Sequence, residues 1–262
     1  MGRVTASSIR ARLVAVGAAA GFLGGLLGVG GGMILVPGLI WAAGVDRHTA
    51  TGTSLLAMLP VACVATAVYA HGLGEAFDAR VSAAVVIGSL TGAVLGARLN
   101  ARTSERGLRL AFALFSLVVG LRLVVPAGLG PGSEVVLHPG TVVFLVALGL
   151  AGGVMSGLLG VGGTLIVIAS MVLVLDTSQV VAQGLTFAAI IPTTIVGTVA
   201  HRRLGSLDPR AAGWMGLAGG IAAVPGVLAA FALPTPALRA VFGAFLVLYA
   251  GRTLWALRGE PA

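Results

Sequence analysis

The chain has 262 residues, 58% of them hydrophobic and 9% charged, with a formal net charge of +8. A water-soluble domain carries about 25% charged residues, so this composition excludes a soluble globular fold. The same basic excess in a soluble chain would point to nucleic acid. Here all sixteen basic residues are Arg, and cytoplasmic loops of a membrane protein collect such residues, so the expected surroundings are a lipid bilayer and no nucleic acid.

In chain order, residues 1–12 read as a cytoplasmic N-terminus. Arg3, Arg10 and Arg12 precede an apolar stretch, and Ala18-Ala19-Ala20 mimics a signal-peptide cleavage site. Cleavage there would leave an apolar region of only about seven residues, at the lower limit for secretion signals. The following stretch also recurs later in the chain, so it is read as mature structure. The apolar run 13–45 would measure about 50 Å as one helix, against a hydrocarbon core of about 30 Å. The glycines at 28–32 and Pro37 break it, which predicts two half-helices, about 13–27 and 32–44, folded into a hairpin. Spans are expected at about 49–70, 81–97 and 107–125. Cys63, the lone cysteine, forms no intramolecular disulfide and reads as a small buried apolar residue.

A linker at 126–140 carries Pro126, Pro131, Gly132 and Pro139. Beyond it the pattern starts again: a hairpin at 141–175, spans at about 179–200, 211–231 and 237–257, and a tail at 258–262. GLLGVGGG at 25–32 returns as GLLGVGGT at 157–164. At the same spacing Gly52 falls on Gly184, Ser54 on Thr186 and Pro60 on Pro192. After a two-residue shift Asp78 falls on Asp208, Arg80 on Arg210, Gly96 on Gly226 and Arg122 on Arg252. The chain is an internal duplication, 13–125 and 141–257.

Arginine placement orients the copies. If both long runs are hairpins entering and leaving on one side, and the N-terminus is cytoplasmic, all the arginines except Arg80, Arg122 and Arg239 lie inside. Single crossings would strand Arg98, Arg102, Arg106 and Arg109 outside, against the positive-inside rule. An odd number of net crossings per copy turns the copies upside down relative to each other. The expected fold class is therefore all-α integral membrane, with two inverted repeats, each a Gly-broken helical hairpin plus three transmembrane helices, and both termini cytoplasmic. Inverted repeats with broken helices are the architecture of secondary transporters.

The glycine run is no nucleotide loop: Gly28-x-Gly30 is followed by Met33 where a third glycine would be needed, and the chain has no Lys for a P-loop. Inside a bilayer the glycines have two other uses. Gly28, Gly30, Gly31 and Gly32, with Gly160, Gly162, Gly163 and Thr164 in the second copy, either let an anion approach exposed helix N-termini or pack helices closely. A helix end contributes only about 0.3–2 kcal/mol towards an anion, so further donors are needed. Thr53, Ser54, Gln183 and Thr186 open the next spans and supply them, unless they bond their own backbone.

No Asp, Glu or Lys lies within an apolar run, so no coupling carboxylate is visible. His71 and His201 follow the second spans in loosely equivalent places, either as titrating groups or as solvated interfacial residues. No catalytic set, metal-ligand cluster or cofactor motif is present. Gly88, Gly92 and Gly96 form a packing stripe, used within the bundle or at a homodimer.

The sequence resembles the sulfite exporter TauE/SafE family of bacterial membrane permeases. The resemblance rests on GLLGVGGG at 25–32 with Pro37, on Ala50-Thr51-Gly52-Thr53-Ser54-Leu55, and on His71, Gly74, Asp78 and Arg80. In the second copy it rests on GLLGVGGT, Gln183-Gly184-Leu185-Thr186 and the stretch from His201 to Arg210. It implies a permease moving a small sulfur-containing anion, sulfite or an organosulfonate, across the bacterial cytoplasmic (inner) membrane. A permease for another organic or inorganic anion, or an anion channel, is the alternative. The second copy departs from the first at Thr164 for Gly32 and Ala169 for Pro37.

Overall fold

The computed structural model describes residues 6–99, 105–125, 135–159 and 163–258. Within them the chain is all-helical, with ten α-helices and one 3-10 turn. The first copy contributes α1 (Ala6–Leu27), α2 (Gly32–Ala43), α3 (Arg47–Leu73), the 3-10 turn Gly74–Ala76, α4 (Ala79–Leu99) and α5 (Glu105–Val124). The second contributes α6 (Pro139–Leu159), α7 (Thr164–Val174), α8 (Gln179–Arg203), α9 (Pro209–Ala232) and α10 (Thr235–Arg258). Seven helices, all but α2, α5 and α7, are long and apolar enough to cross a membrane. Large apolar side chains such as Ile87, Ile221, Leu248 and Trp255 stand exposed on them, and Trp41 and Val118 on α2 and α5. A water-facing surface would not tolerate such a belt, and lipid does.

Side-chain caps set several helix starts. Asp46 caps α3, its carboxylate accepting from the Thr49 amide and hydroxyl at 3.0 and 2.7 Å. Ser178 caps α8 through the Val181 amide at 3.2 Å, and Asp208 caps α9 through the amides of Arg210 and Ala211. Such caps satisfy donors that a helix start leaves open. Asp78 receives the exposed Arg80 guanidinium at 2.9 Å, and those hydrogen bonds hold its carboxyl below the ordinary carboxylate range.

The first arm of the expected hairpin is longer than a half-helix. At 22 residues α1 measures about 33 Å, whereas α2 at 12 residues measures about 18 Å. Nothing between Ala6 and Leu13 breaks a helix, and Arg10 and Arg12 find aromatic partners: Trp214 of α9 at 5.9 Å and Trp41 of α2 at 5.2 Å. These cation–π contacts tie the start of α1 to the end of α2 and the start of α9. Pro37 does not break the run; it lies inside α2. The glycines alone end α1.

Helix directions follow from residue pairs. α2 folds back on α1, with Gly31 against Ala20 and Gly38 against Val16. Gly17, Gly21 and Gly25 of α1 climb in step with Met215, Gly219 and Ala223 of α9, so those helices run parallel. Gly88, Gly92 and Gly96 of α4 likewise follow Val146, Leu150 and Val154 of α6. The stripe in α4 is thus used inside the chain, where missing Cβ atoms let backbones touch. By contrast, α3 and α8 run oppositely: Gly52 at the start of α3 meets His201 at the end of α8, and Gly184 meets Tyr69. α5 and α10 are also opposed, with the Arg106 guanidinium reaching the Leu257 carbonyl at 3.5 Å and Gly120 touching Gly243. Exchanging the copies turns α1 on α9 into α6 on α4 and maps α3–α8 and α5–α10 onto themselves. Each hairpin therefore rests on the third long helix of the other copy.

Cys63 is exposed on α3, not buried. A thiol is apolar enough to face lipid, and a run apolar on every side does not reveal which face that is. The expected linker is described only from residue 135. There His138 Nδ1 accepts from the Thr141 amide at 3.1 Å and starts α6.

Candidate functional site

Between α1 and α2 the backbone passes through three left-handed residues: Gly28 (φ 77°), Gly30 (φ 65°) and Gly31 (φ 80°). Left-handed geometry costs a non-glycine residue about 1–2 kcal/mol each, so the turn requires these glycines. It is also tightly enclosed. A Cβ on Gly28 would lie 2.6 Å from Gln183 Cγ and 2.8 Å from Ile168 Cδ1. One on Gly30 would lie 2.9 Å from both Met58 Cε and Ile190 Cδ1, and one on Gly32 3.0 Å from Met58 Sδ. The turn of the first copy is therefore walled by α3, α7 and α8 through Met58, Ile168, Gln183 and Ile190, all neutral side chains. Gly31 caps α2 with no side chain to offer, so the first amides of α2 depend on something other than a capping residue.

The opposite problem, orphan carbonyls at the end of α1, is solved from two other helices. Tyr69 of α3 and Gln183 of α8 are fully buried. The Gln183 amide Nε2 donates to the Leu26 carbonyl at 3.2 Å. The Tyr69 hydroxyl stands 2.8 Å from the Gly25 carbonyl and 2.9 Å from Gln183 Oε1. It has one proton for these two acceptors. The network closes the last turn of α1 just before the glycines.

Of the expected donors, Gln183 alone lies against the glycine turn in this way. Thr53 is buried at the far end of α3, where its hydroxyl oxygen accepts from the Asp208 amide at 2.9 Å. Its counterpart Leu185 accepts from the Ser82 hydroxyl at 3.1 Å, tying α8 to α4. Ser54 donates to the Thr51 carbonyl at 2.8 Å and Thr186 to the Ala182 carbonyl at 2.6 Å, each within its own helix. Gly160 and Gly162 lie outside the described residues. Gly163 caps α7 with φ −73° and abuts the Gly152 backbone, as Gly31 abuts Ala20. The Thr164 hydroxyl is buried with no partner among the described residues.

Tyr69 escaped the reading of the sequence. A tyrosine in an apolar run needs a partner for its hydroxyl, which was the available signal. The fold also shows its counterpart, because Tyr69 packs on Gly184 as His201 packs on Gly52. His201 therefore pairs structurally with Tyr69, while His71 is exposed. His201 Nδ1 lies 2.9 Å from the Ser206 hydroxyl.

Tyr69→Phe leaves Gln183 Oε1 and the Gly25 carbonyl short of a buried donor. It is expected to destabilise the protein by about 1–3 kcal/mol. Adding Gln183→Met should cost less than the sum of the two single changes. Thermal melts of the two singles and the double in detergent measure this; strict additivity would mean the two side chains do not act as one cap.

Ten apolar helices in two matching halves, joined around a glycine turn, define a multi-pass membrane protein of transporter type. The family model for the sulfite exporter TauE/SafE matches residues 2–123 and 145–262, one segment per copy. The chain belongs to that family and is a membrane transporter. It is 25% identical over 218 residues to the probable membrane transporter protein YunE of Bacillus subtilis (strain 168), covering 75% of this chain and 79% of the relative. A probable membrane transporter protein of Xylella fastidiosa (strain Temecula1) is 26% identical over 208 residues, covering 75% and 76%.

Proposed function

We propose that the protein is a secondary carrier moving a small sulfur-containing anion, sulfite or an organosulfonate, across the bacterial cytoplasmic membrane, with its two copies inverted in the bilayer. The observation that carries this reading is the opposed direction of the equivalent helices α3 and α8 beside a glycine turn. Transporters built from inverted repeats place their substrate between the repeats, at interrupted helices near the membrane centre. Here the interruption is the stretch Gly28–Gly31, the first amides of α2 offer its positive end, and Gln183 is the neutral donor beside it, held in place by Tyr69. Gly28, Gly30, Gly31, Gly32 and Gln183 are the residues assigned to the anion on this reading. Thr53, Ser54 and Thr186 hold the surrounding helices, and the second hairpin with Gly160, Gly162, Gly163 and Thr164 supplies the mirrored end.

Purified protein in proteoliposomes, offered sulfite, sulfate, thiosulfate, sulfoacetate and taurine, tests the reading. Saturable uptake of sulfite or a sulfonate, with counterflow from preloaded vesicles, is expected. Flux linear in substrate without counterflow would make it a channel, and no flux of any sulfur anion would overturn the substrate class.

The inversion has its own test. Residues 98–109 and 201–210 are expected on the cytoplasmic side, and 71–80 and 126–139 outside, with both termini inside. In a Cys63→Ser background, a cysteine placed at position 104 should resist an impermeant thiol reagent in intact cells, and one at position 75 should react. Labelling of position 104 from outside would reverse the assignment.

A further inference from the structure

Ala11, Val14, Ala15, Ala19 and Phe22 form one exposed stripe along α1, at the spacing that keeps side chains on one helix face. α9 packs beside this stripe on one edge, against Gly17 and Gly21, and α2 on the other, against Val16 and Ala20. Two arginines mark the edges where α1 begins. The Arg10 guanidinium carbon lies 5.9 Å from the Trp214 ring centroid on the α9 edge, and that of Arg12 lies 5.2 Å from the Trp41 ring on the α2 edge. Between them the floor is low, because Ala11, Ala15 and Ala19 carry only methyl groups, while Trp41 and Trp214 stand 67% and 45% exposed at the rims. The result is a shallow apolar trough with a cation and an indole on each side of one end.

The charge at that end is not balanced by the described residues. Among them neither Arg10 nor Arg12 forms an ion pair, and Arg210 at the start of α9 adds a third exposed cation. The Asp208 carboxylate beside it in sequence accepts from the Arg210 and Ala211 amides at 2.9 and 3.0 Å. A cation–π contact uses the charge of a guanidinium and leaves its N–H donors for an oxygen acceptor. It also holds a long side chain in place, which lowers the ordering cost of binding.

The duplication shows that the helix pairing does not demand these residues. At the equivalent corner, where α6 packs on α4, Val142 and Phe144 stand for the two arginines, and Leu173 and Ala84 for Trp41 and Trp214. The same helices meet there without a cation or an indole.

We infer that this corner is a docking surface for one anionic membrane phospholipid, with its phosphate between Arg10 and Arg12 and an acyl chain along the alanine trough. Basic sites between membrane helices take acidic headgroups, and tryptophan favours the depth where headgroup meets chain. A lipid seated there touches α2 of the first copy and α9 of the second, so it clamps the first hairpin to the helix on which it rests. The inference stands apart from the transport reading.

The experiment uses the full chain in nanodiscs, carrying Trp255→Phe so that Trp41 and Trp214 are the remaining tryptophans. Lipids brominated on the acyl chain quench their fluorescence, phosphatidylglycerol in one series and phosphatidylcholine in the other, each diluted into the same unbrominated mixture. Half-quenching is expected at a mole fraction at least about fivefold lower for phosphatidylglycerol. The double change Arg10→Gln/Arg12→Gln should bring the two lipids together. Arg10→Lys/Arg12→Lys should keep part of the preference, since the charge stays and the planar fork is lost. Arg202→Gln/Arg203→Gln, which removes two exposed cations at the end of α8, should keep all of it. Monodispersity on size exclusion checks that each variant is folded. Equal quenching by the two lipids without the arginine changes overturns the inference. So does an equal loss of preference in both double Gln variants, which would mean diffuse surface charge. Quenching by neither lipid would place a second copy of the chain on this face, and overturns it too. An intact lipid preference with no uptake of any anion would remove the transport reading alone.

Discussion

Gly31→Ala is expected to abolish uptake and to lower stability by about 3 kcal/mol or more, while Gly44→Ala costs about 1 kcal/mol and leaves uptake near its natural level. Both residues are left-handed, with φ of 80° and 65°, so each alanine meets the same conformational penalty of about 1–2 kcal/mol. They differ in space. A Cβ on Gly44 has nothing within 4 Å, whereas one on Gly31 lies 2.8 Å from the Ala20 carbonyl oxygen. That oxygen belongs to backbone in the middle of α1 and cannot swing aside as a flexible side chain would. The added strain of overpacking is about 1–3 kcal/mol, and it is relieved only by displacing the start of α2. The comparison isolates enclosure from conformation. Gly163→Val supplies the converse, with an ordinary φ of −73° and a Cβ driven into the Gly152 backbone. Thermal melts, size exclusion and proteoliposome uptake read all three. Full transport by Gly31→Ala would show that the turn is not where the anion passes.

Much of this arrangement was legible before any coordinates. Apolar run length located the helices, and the register of the two glycine motifs located the duplication. Length required a break between α1 and α2, because 33 apolar residues cannot cross once, and the glycines at 28–32 located it. What failed was finer. Arg10 and Arg12 looked like a helix boundary, yet a cation at a membrane interface extends a helix when Trp41 and Trp214 stand beside it. Pro37 looked like a breaker, but proline is tolerated in a membrane helix when neighbours satisfy the backbone it frees.

The exposure of Cys63 was unreadable for a different reason: where lipid replaces water, periodic polarity no longer marks the outer face. The pairing of each hairpin with the other copy's third long helix was equally hidden. It depends on glycines at Gly17, Gly21 and Gly25 meeting Met215, Gly219 and Ala223, a match of shapes and not of hydropathy. Of the side chains beside the turn, Gln183 is singled out by its position in the sequence, but its hydrogen-bond partner Tyr69 is not, since the two are 114 residues apart and meet only because α3 and α8 cross.

On the proposed reading, the monoanion bisulfite, or a monoanionic sulfonate, binds at least about tenfold more tightly than sulfate, a difference of roughly 1.4 kcal/mol. The side chains nearest the turn, Ala20, Met58, Ile168, Gln183 and Ile190, are all neutral. Such a site offers backbone amides and a carboxamide, and no full counter-charge. The cost of stripping water from an anion rises steeply with its charge, and only a cation could repay a dianion for that loss. Sulfite exchanges between monoanion and dianion near neutral pH, whereas sulfate stays a dianion. Lowering the pH from about 8 to about 6 raises the monoanion fraction, so sulfite binding should strengthen with it while sulfate binding stays flat. No protein group needs to titrate for this to happen, so the pH profile should follow the ligand and be the same in His201→Gln. Calorimetry on the purified protein across that range decides the matter. Sulfate binding as tightly as sulfite, or sulfite binding better at the higher pH, would mean that a cation reaches the turn. Arg109 of α5 and the buried Arg239 of α10 would then be the first residues to replace.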